Sequence, residues 1–308
     1  MKKVVASVVL SAVIFSTMEV ALKLGGAGLD NIQLTFLRFF IGAIVLVPPA
    51  ILECRKSGYK TNIKDLAWMA ATGVMGVSIS MLSFQIGVMN SNASTAAPVV
   101  CTNSMFAMLV AHLFTSEKMS KRKWTAFILG LVALFFMIRP WDMQEGNSVL
   151  GFLTLILAAI TFGAYTVMGK QTIARIGTFT QTSIGFFFGS AVLLVALLVT
   201  GRPVVAGVAE NLPLVLYLGV IVTGLGYLVY FLGVLYSDAS TGSIAFFVKP
   251  AIAPFIAIAV LHETVYWNTI VGIGLLLTGS VLTIYDTFAH RKAMQAKQLS
   301  EELVASEA

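Results

Sequence analysis

The chain has 308 residues, of which 58% are hydrophobic and only 11% are charged. Soluble domains carry about 25% charged residues, so this composition excludes an ordinary soluble protein and indicates an integral membrane protein. The formal net charge of +6 would fit a nucleic-acid partner, but the basic residues lie between apolar segments, where they act as orientation signals. We therefore expect no nucleic acid to bind.

Ten apolar segments are predicted to be membrane-spanning helices, for which about 20 residues suffice. In chain order they cover 4–23, 32–52, 66–88, 94–115, 124–139, 149–170, 181–200, 212–235, 241–261 and 267–286. The first segment lacks a small-residue cleavage site, so we interpret it as a spanning helix and not as a cleavable signal peptide. The predicted fold class is an all-α membrane protein.

Lysine and arginine lie mostly on one side of the predicted membrane. If the N-terminus is cytoplasmic, the cytoplasmic segments hold 15 of the 20 basic residues, the other side holds 3, and 2 lie inside spans. The 3 on the other side are Lys23, Arg139 and Arg202. Such an excess is what the positive-inside rule expects. We therefore predict a multi-pass protein of the cytoplasmic (inner) membrane with cytoplasmic N- and C-termini.

The two halves of the chain match when the sequence is shifted by 147 residues, which aligns 12–46 with 159–193. A shift of 146 residues aligns GVMNSNAST with GVLYSDAST, and Glu117 with Glu263. Apolar composition alone would produce chance matches, but it would not produce the polar cluster or the paired glutamates. The chain therefore contains an internal repeat.

Each half contains five predicted spans, and this odd number makes the two halves inverted in the membrane. Inverted repeats are a common construction of secondary transporters, although channels and membrane scaffolds also arise by duplication. We predict a first five-helix repeat at 1–146, a second at 147–288 and a cytoplasmic tail at 289–308.

The fourth and fifth helices of each half resemble the EamA family of the drug/metabolite transporter superfamily. In each half a helix begins with Ala-Ser, a glutamate (Glu117 or Glu263) follows it, and a glycine lies early in the next helix. Pro250 stands where the family often has a proline, whereas the first half has Ser104 there. The resemblance extends over nearly the whole chain.

This resemblance implies ten transmembrane helices in two inverted five-helix repeats and the transport of a small metabolite. Relatives move amino acids, nucleotide sugars, quaternary amines and other metabolites, often by proton coupling or by exchange. The resemblance favours export over uptake and leaves the substrate open.

Glu19, Arg38 and Lys249 lie within predicted spans, where charged side chains are rare and usually functional. The repeat aligns each of them with an uncharged residue. A feature of the scaffold should occur in both halves, whereas an asymmetric ligand requires it only once, so we expect all three in substrate binding or coupling. Glu19 and Arg38 either form a structural ion pair or contact the substrate or a coupled proton.

Lys249 lies near the middle of the ninth span, too far from either end for its amine to reach the membrane surface. Pro250 removes a backbone N–H and predicts a kink, and irregular backbone at this depth usually lines a cavity. The lysine either binds an anionic group or is held by carbonyls that the kink frees. Further candidates for the pocket are Gln85, Asn103, Ser104, Tyr165, Tyr227, Tyr230, Phe246 and Phe247.

These features predict a secondary transporter whose central cavity is lined by spans 1, 3, 4, 6, 8 and 9. An anionic and a cationic group in one cavity fit a zwitterion, so we expect export of an amino acid or a related small polar or amphipathic metabolite by alternating access. The alternatives are a transporter of quaternary amines or cationic drugs, a transporter of phosphorylated or nucleotide-sugar substrates, and a non-transporting membrane scaffold.

The sequence has no metal-ligand cluster, phosphate loop or nucleophilic triad. We therefore expect neither an enzyme nor a metal or other cofactor, and we expect transport to draw on protons or on exchange. The expected partners are the small-molecule substrate and the lipid bilayer. The oligomeric state is left open, a monomer being one possibility.

Overall fold

The computed structural model describes residues 2–25, 28–58, 62–139, 142–235 and 239–307, with side chains except those of 2–5, 8, 231, 233–248, 287–288 and 290–307. The α-helices are α1 (Lys2–Ser16), α2 (Met18–Gly25), α3 (Asn31–Ser57), α4 (Ile63–Gly73), α5 (Leu82–Met89), α6 (Ala93–Cys101), α7 (Asn103–Phe114), α8 (Lys121–Ile138), α9 (Val149–Ile176), α10 (Thr178–Val199), α11 (Leu212–Leu216), α12 (Gly226–Leu235), α13 (Ala239–Leu261) and α14 (Trp267–Glu307). Two further segments, π1 (Val74–Met81) and π2 (Tyr217–Leu225), are π-helical.

Seven helical stretches of the described residues are long and apolar enough to cross a membrane. They are Asn31–Ser57, Ile63–Met89, Ala93–Phe114, Val149–Ile176, Thr178–Val199, Leu212–Tyr230 and Trp267–Asp286. Each coincides with a predicted span, and the three other predicted spans are also helical, as α1 with α2, α8 and α13. The chain therefore has the helical content of a multi-pass membrane protein.

The outer surface of the helices is apolar. Val199 is 81% exposed and Phe255 71% exposed, and both lie on long apolar helices. Water-exposed apolar patches of this kind are rare on monomeric soluble proteins. The surface is suited to contact with lipid tails.

Capping residues explain where the second predicted span begins and ends. Asp30 accepts hydrogen bonds from the backbone N–H groups of Ile32 and Gln33 at the start of α3. Gly58 follows the last turn with a φ of 61°, a left-handed conformation that favours glycine. The cap satisfies backbone donors that have no partner within the helix, so the ends of α3 are set by local sequence.

The backbone departs from α-helical geometry at four places inside predicted spans. Thr17 separates α1 from α2, Thr102 separates α6 from α7, and π1 and π2 each interrupt a longer helix. A shift of 146 residues carries π1 onto 220–227, which overlaps π2. Because π-helical turns are rare and frequently lie at functional sites, these segments point to the centre of the bundle.

Glycines bring the π-helical segments close to their neighbours. A Cβ atom at Gly42 of α3 would lie 2.6 Å from Thr223 Cγ2 in π2, and one at Gly189 of α10 would lie 2.6 Å from Val77 Cβ in π1. Small residues allow such close approach of helices in membranes. The contacts are reciprocal, since each π-helical segment packs against a long helix of the other half of the chain.

The helix ends meet at two opposite faces of the bundle. At the first face, Arg202 Nη1 lies 2.7 Å from Asp30 Oδ2, which joins the loop after α10 to the start of α3. At the second face, Glu53 Oε1 accepts a hydrogen bond of 2.9 Å from the backbone N–H of Thr178, which joins the end of α3 to the start of α10. Both faces therefore link the two halves of the chain.

Candidate functional site

The interruption at Thr17 places Glu19 in the interior of the bundle. The Thr17 hydroxyl donates to the Ile14 carbonyl at 2.7 Å and shares a hydrogen bond of 2.6 Å with the Tyr217 hydroxyl of π2. The helix restarts as α2 one residue later. Since irregular backbone at membrane depth is tolerated where it lines a cavity, the position of Glu19 follows from this local break.

Glu19 and Lys249 form a buried ion pair. Lys249 Nζ lies 2.6 Å from Glu19 Oε1, and the two side chains are 4% and 1% exposed, respectively. Lys249 Nζ also lies 5.8 Å from the centre of the Phe84 ring. The pair joins α2 from the first half to α13 from the second, and truncating either partner would leave the other as an uncompensated buried charge.

Arg38 lies beside this pair and does not belong to it. The sequence left a Glu19–Arg38 ion pair open, but the carboxylate pairs with Lys249. Arg38 Nη1 donates to Met18 Sδ at 3.4 Å, and its Cζ lies 4.7 Å from the centre of the Phe39 ring. Within the described part of the chain, its Nε and Nη2 have no hydrogen-bond partner.

Arg38 and Lys249 line one central cavity, and Glu19 adjoins it through its contact with Lys249. Its walls are formed by Phe15, Met18, Arg38, Phe39, Met81, Phe84, Val100, Cys101, Asn103, Phe162, Val222, Thr223, Tyr227 and Lys249. The centres of water molecules can occupy a volume of about 40 Å³ in it. This volume holds about three water molecules. A metabolite needs more space than this, so the helices must separate before one can enter.

The departures from α-helical geometry all abut the cavity. Met81 ends π1, and Val222 and Thr223 belong to π2. Cys101 and Asn103 flank the interruption at Thr102, just as Met18 follows the interruption at Thr17. The backbone irregularities and the buried charges therefore identify the same region.

All six spans that we expected at the cavity contribute to its wall, namely spans 1, 3, 4, 6, 8 and 9. Span 2 was not expected there, yet α3 contributes Arg38 and Phe39. The close contact between Gly42 and Thr223 explains this difference, because it brings α3 up against π2.

The uncharged candidates divide into two groups. Asn103 and Tyr227 line the cavity. Gln85, Tyr165 and Tyr230 do not: the Gln85 amide is 3.5 Å from Asn31 Oδ1, the Tyr165 ring packs on Gly76, and Tyr230 packs on Phe15 with ring centres 6.3 Å apart. The side chains of Phe246 and Phe247 lie outside the described residues.

Pro250 lies within a continuous helix, and the kink that the sequence predicts there stays a prediction. The helix α13 continues through both Pro250 and Pro254. Pro250 lines a second, smaller cavity together with Thr102, Ser104 and other residues. The centres of water molecules can occupy a volume of about 30 Å³ in it. The proline thus lies next to the site.

Met18, Phe84 and Cys101 line the cavity and were not expected from the sequence. They are apolar residues in apolar helices, where hydrophobic periodicity does not show which face is turned to a cavity. The sequence feature that could have pointed to one of them is the charge of Glu19, which directly follows Met18.

Comparisons with known proteins agree with this architecture. The model of the EamA-like transporter family matches the chain twice, at 2–139 and 149–285. An uncharacterized transporter of Clostridium kluyveri is 32% identical over 97% of this chain and 98% of its own length. An S-adenosylmethionine uptake transporter of Rickettsia prowazekii is 23% identical over 95% of each chain.

A solved crystal structure is similar to this fold with a TM-score of 0.64, covering 92% of this chain and 96% of the other at 16% identity. At this identity the likeness concerns the fold alone. The two family matches together extend over nearly the whole chain, and a relative at 32% identity covers 97% of it. The chain belongs to the EamA-like transporter family.

Proposed function

We propose that this protein is a secondary transporter that moves an amino acid or a related zwitterion across the cytoplasmic membrane by alternating access. The observation that carries the proposal is the Glu19–Lys249 ion pair, buried at the cavity between helices of the two halves of the chain. Intramembrane ionisable groups that face a cavity are the usual binding and coupling groups of transporters.

The charges of the site are complementary to a zwitterion. With the cavity empty, Glu19 and Lys249 neutralise each other at 2.6 Å. A bound zwitterion can replace this internal contact by placing its ammonium group on Glu19 and its carboxylate on a basic residue. The Rickettsia relative is named as an S-adenosylmethionine uptake transporter. S-adenosylmethionine carries an α-amino-acid group, as the proposed substrates do, and this shared group supports the proposal.

Two ion pairs at opposite faces support alternating access between inverted five-helix repeats. Lys23 Nζ lies 3.7 Å from Glu263 Oε1 at the first face, and Lys170 Nζ lies 3.5 Å from Glu117 Oε1 at the second. The sequence repeat aligns Lys23 with Lys170 and Glu117 with Glu263. Each pair links a helix of one half to the end of a helix from the other, as a reversible closure at each face would require.

Export is favoured by the sequence resemblance, whereas the Rickettsia relative is named for uptake. A secondary transporter works in both directions, and gradients decide the net flux. The orientation that we propose, with both termini cytoplasmic, is supported by the excess of basic residues on one side, and we propose proton coupling or exchange as the energy source.

Counterflow into liposomes tests this function. Vesicles containing the purified protein are loaded with unlabelled L-methionine, S-adenosylmethionine, choline or glycerophosphate, and uptake of the same labelled compound is followed. We expect transient accumulation of a zwitterion above the level in protein-free vesicles. Accumulation of choline or glycerophosphate alone would contradict the substrate class, and no accumulation of any compound would favour a scaffold over a transporter.

A further inference from the structure

We infer that Arg38 is the site's anion-binding residue and that the transported solute carries a single carboxylate, which binds the Arg38 guanidinium. This inference rests on the proposed function and adds to it the residue and the charged group that decide which solutes bind. It follows from the contacts of Arg38, from the charge of the cavity wall and from the geometry of the guanidinium group.

The Arg38 guanidinium is buried but incompletely paired. The residue is 0% exposed and is among the largest fully buried side chains of the described residues. Its Nη1 has only the Met18 sulfur, a weak acceptor, at 3.4 Å. Its Nε and Nη2 have no hydrogen-bond partner in the described part of the chain, whereas buried charges normally have their donors satisfied.

Aromatic contacts do not replace the missing acceptors. Arg38 Cζ lies 4.7 Å from the centre of the Phe39 ring and 6.0 Å from that of Phe84. Such contacts favour a cation over a ring face, but they leave the N–H groups at the edge of the guanidinium plane unpaired. The unpaired edge belongs to a residue of the cavity wall, which a solute reaches once the helices have separated.

Among the described residues, the site holds one carboxylate, Glu19, for two positive charges, Lys249 and Arg38. Glu19 and Lys249 neutralise each other in their ion pair, and Arg38 has no carboxylate within 4.0 Å among the described residues. Arginine stays protonated in proteins. A solute carboxylate pairs with the charge of Arg38 one to one, whereas a phosphate monoester with two negative charges would leave one of them unpaired.

The chemistry of the two groups also favours a carboxylate. The guanidinium presents parallel N–H donors that match the two oxygens of a carboxylate in a bidentate contact. Lys249 offers a point charge that is already engaged by Glu19. We therefore place the solute's carboxylate on Arg38, which leaves Glu19 to receive an ammonium group and Lys249 to be released when it does.

The test compares each acid with its own carboxamide, which has nearly the same shape but no negative charge. Thermal melting of the purified protein is measured with L-amino acids and S-adenosylmethionine, then with the carboxamide of each binder, and with choline and inorganic phosphate. A ligand of the folded state raises the melting temperature according to its affinity. We expect the carboxamide to bind roughly 10- to 100-fold more weakly than the acid, the usual effect of losing a charged hydrogen bond.

Two variants assign this preference to Arg38. Arg38→Gln is expected to bind acid and carboxamide equally weakly, and Arg38→Lys, which keeps the charge but not the two parallel donors, should give an intermediate preference. The comparison on the unmodified chain remains decisive if Arg38→Gln does not fold. The inference is overturned if the carboxamide binds as tightly as the acid, if the preference survives in Arg38→Gln, if choline or phosphate binds most tightly, or if no carboxylate compound binds.

Failure of the inference about Arg38 can be told apart from failure of the proposed function. If the protein is not a transporter, the unmodified chain shows no counterflow with any compound. If only the role of Arg38 is wrong, counterflow is present and discriminates acid from carboxamide equally in the unmodified chain and in Arg38→Gln.

Discussion

A Lys249→Met substitution is expected to reduce counterflow by at least about 100-fold and to lower the melting temperature. Lys249 Nζ is 2.6 Å from Glu19 Oε1 in a pair that is almost completely buried. Removing one partner of a buried pair leaves the other charge uncompensated, at a cost of about 3–5 kcal/mol. Both the folded state and the binding site are therefore affected, and the single variant alone does not separate the two effects.

The double variant Glu19→Gln/Lys249→Met separates stability from transport. It removes both charges, so no unpaired charge of this pair remains in the apolar interior, and the melting temperature should recover most of what Lys249→Met loses. Counterflow should stay strongly reduced, because Glu19, which we assign to the ammonium group of the solute, is gone. A double variant that transports like the unmodified chain would show that the pair is structural only.

A Glu263→Gln substitution is expected to open the first face of the bundle. The Glu263 carboxylate accepts hydrogen bonds of 2.9 Å from the backbone N–H groups of both Ala93 and Ser94 at the start of α6, and Lys23 lies 3.7 Å away. His262, with a φ of 55°, turns the chain just before it. A negative charge on the free N–H groups at a helix start stabilises by about 1–2 kcal/mol, so its loss should speed amide exchange at 93–95 by roughly 10-fold.

Hydrogen–deuterium exchange measures this effect, and Glu117→Gln is the matched control. Glu117 occupies the equivalent place in the repeat and lies at the second face, where its ion pair with Lys170 is more than half exposed on both sides. Exposed pairs contribute little, so Glu117→Gln should leave exchange at 93–95 unchanged. Equal acceleration in both variants, or none in Glu263→Gln, would show that Glu263 does not hold the first face closed.

The sequence was sufficient to identify the class of fold and the charged residues of the site. Long apolar segments predict helices well because each must satisfy its own backbone hydrogen bonds in lipid. Glu19, Arg38 and Lys249 were recognisable because charge inside such a segment is costly and therefore needs a reason. All three lie at the central cavity region, Arg38 and Lys249 in its wall and Glu19 in contact with Lys249.

The partner of each charge could not be read from the sequence. Glu19 and Lys249 lie in different halves of the chain, and their contact depends on how α2 and α13 are rotated about their axes. The similar depth of Glu19 and Arg38 in their spans left a Glu19–Arg38 pair open, whereas the carboxylate lies next to Lys249. Local sequence alone does not determine rotation in helices that are apolar on every side, since no polar face marks which way they turn.

The backbone irregularities were also missed, for a related reason. Both π1 and π2 lie within uniformly apolar stretches, in which a change from α- to π-helical hydrogen bonding alters no polar pattern. Their effect is local: they turn Met81 and Thr223 into the cavity wall. Tyr165 and Gln85, which also lie within predicted spans, are not among the residues of that wall.

Cys101 is a natural reporter for the central claim that this cavity is exposed alternately to the two sides of the membrane. It lies in the cavity wall, and the chain's other cysteine, Cys54, can be replaced by serine, which keeps a hydroxyl partner for Thr180. The measurement is the rate at which a membrane-impermeant methanethiosulfonate labels Cys101 from either side of sealed vesicles. The account predicts labelling from both sides, slowed by a transported zwitterion. Labelling from one side only, or at a rate that no transported solute changes, would contradict it.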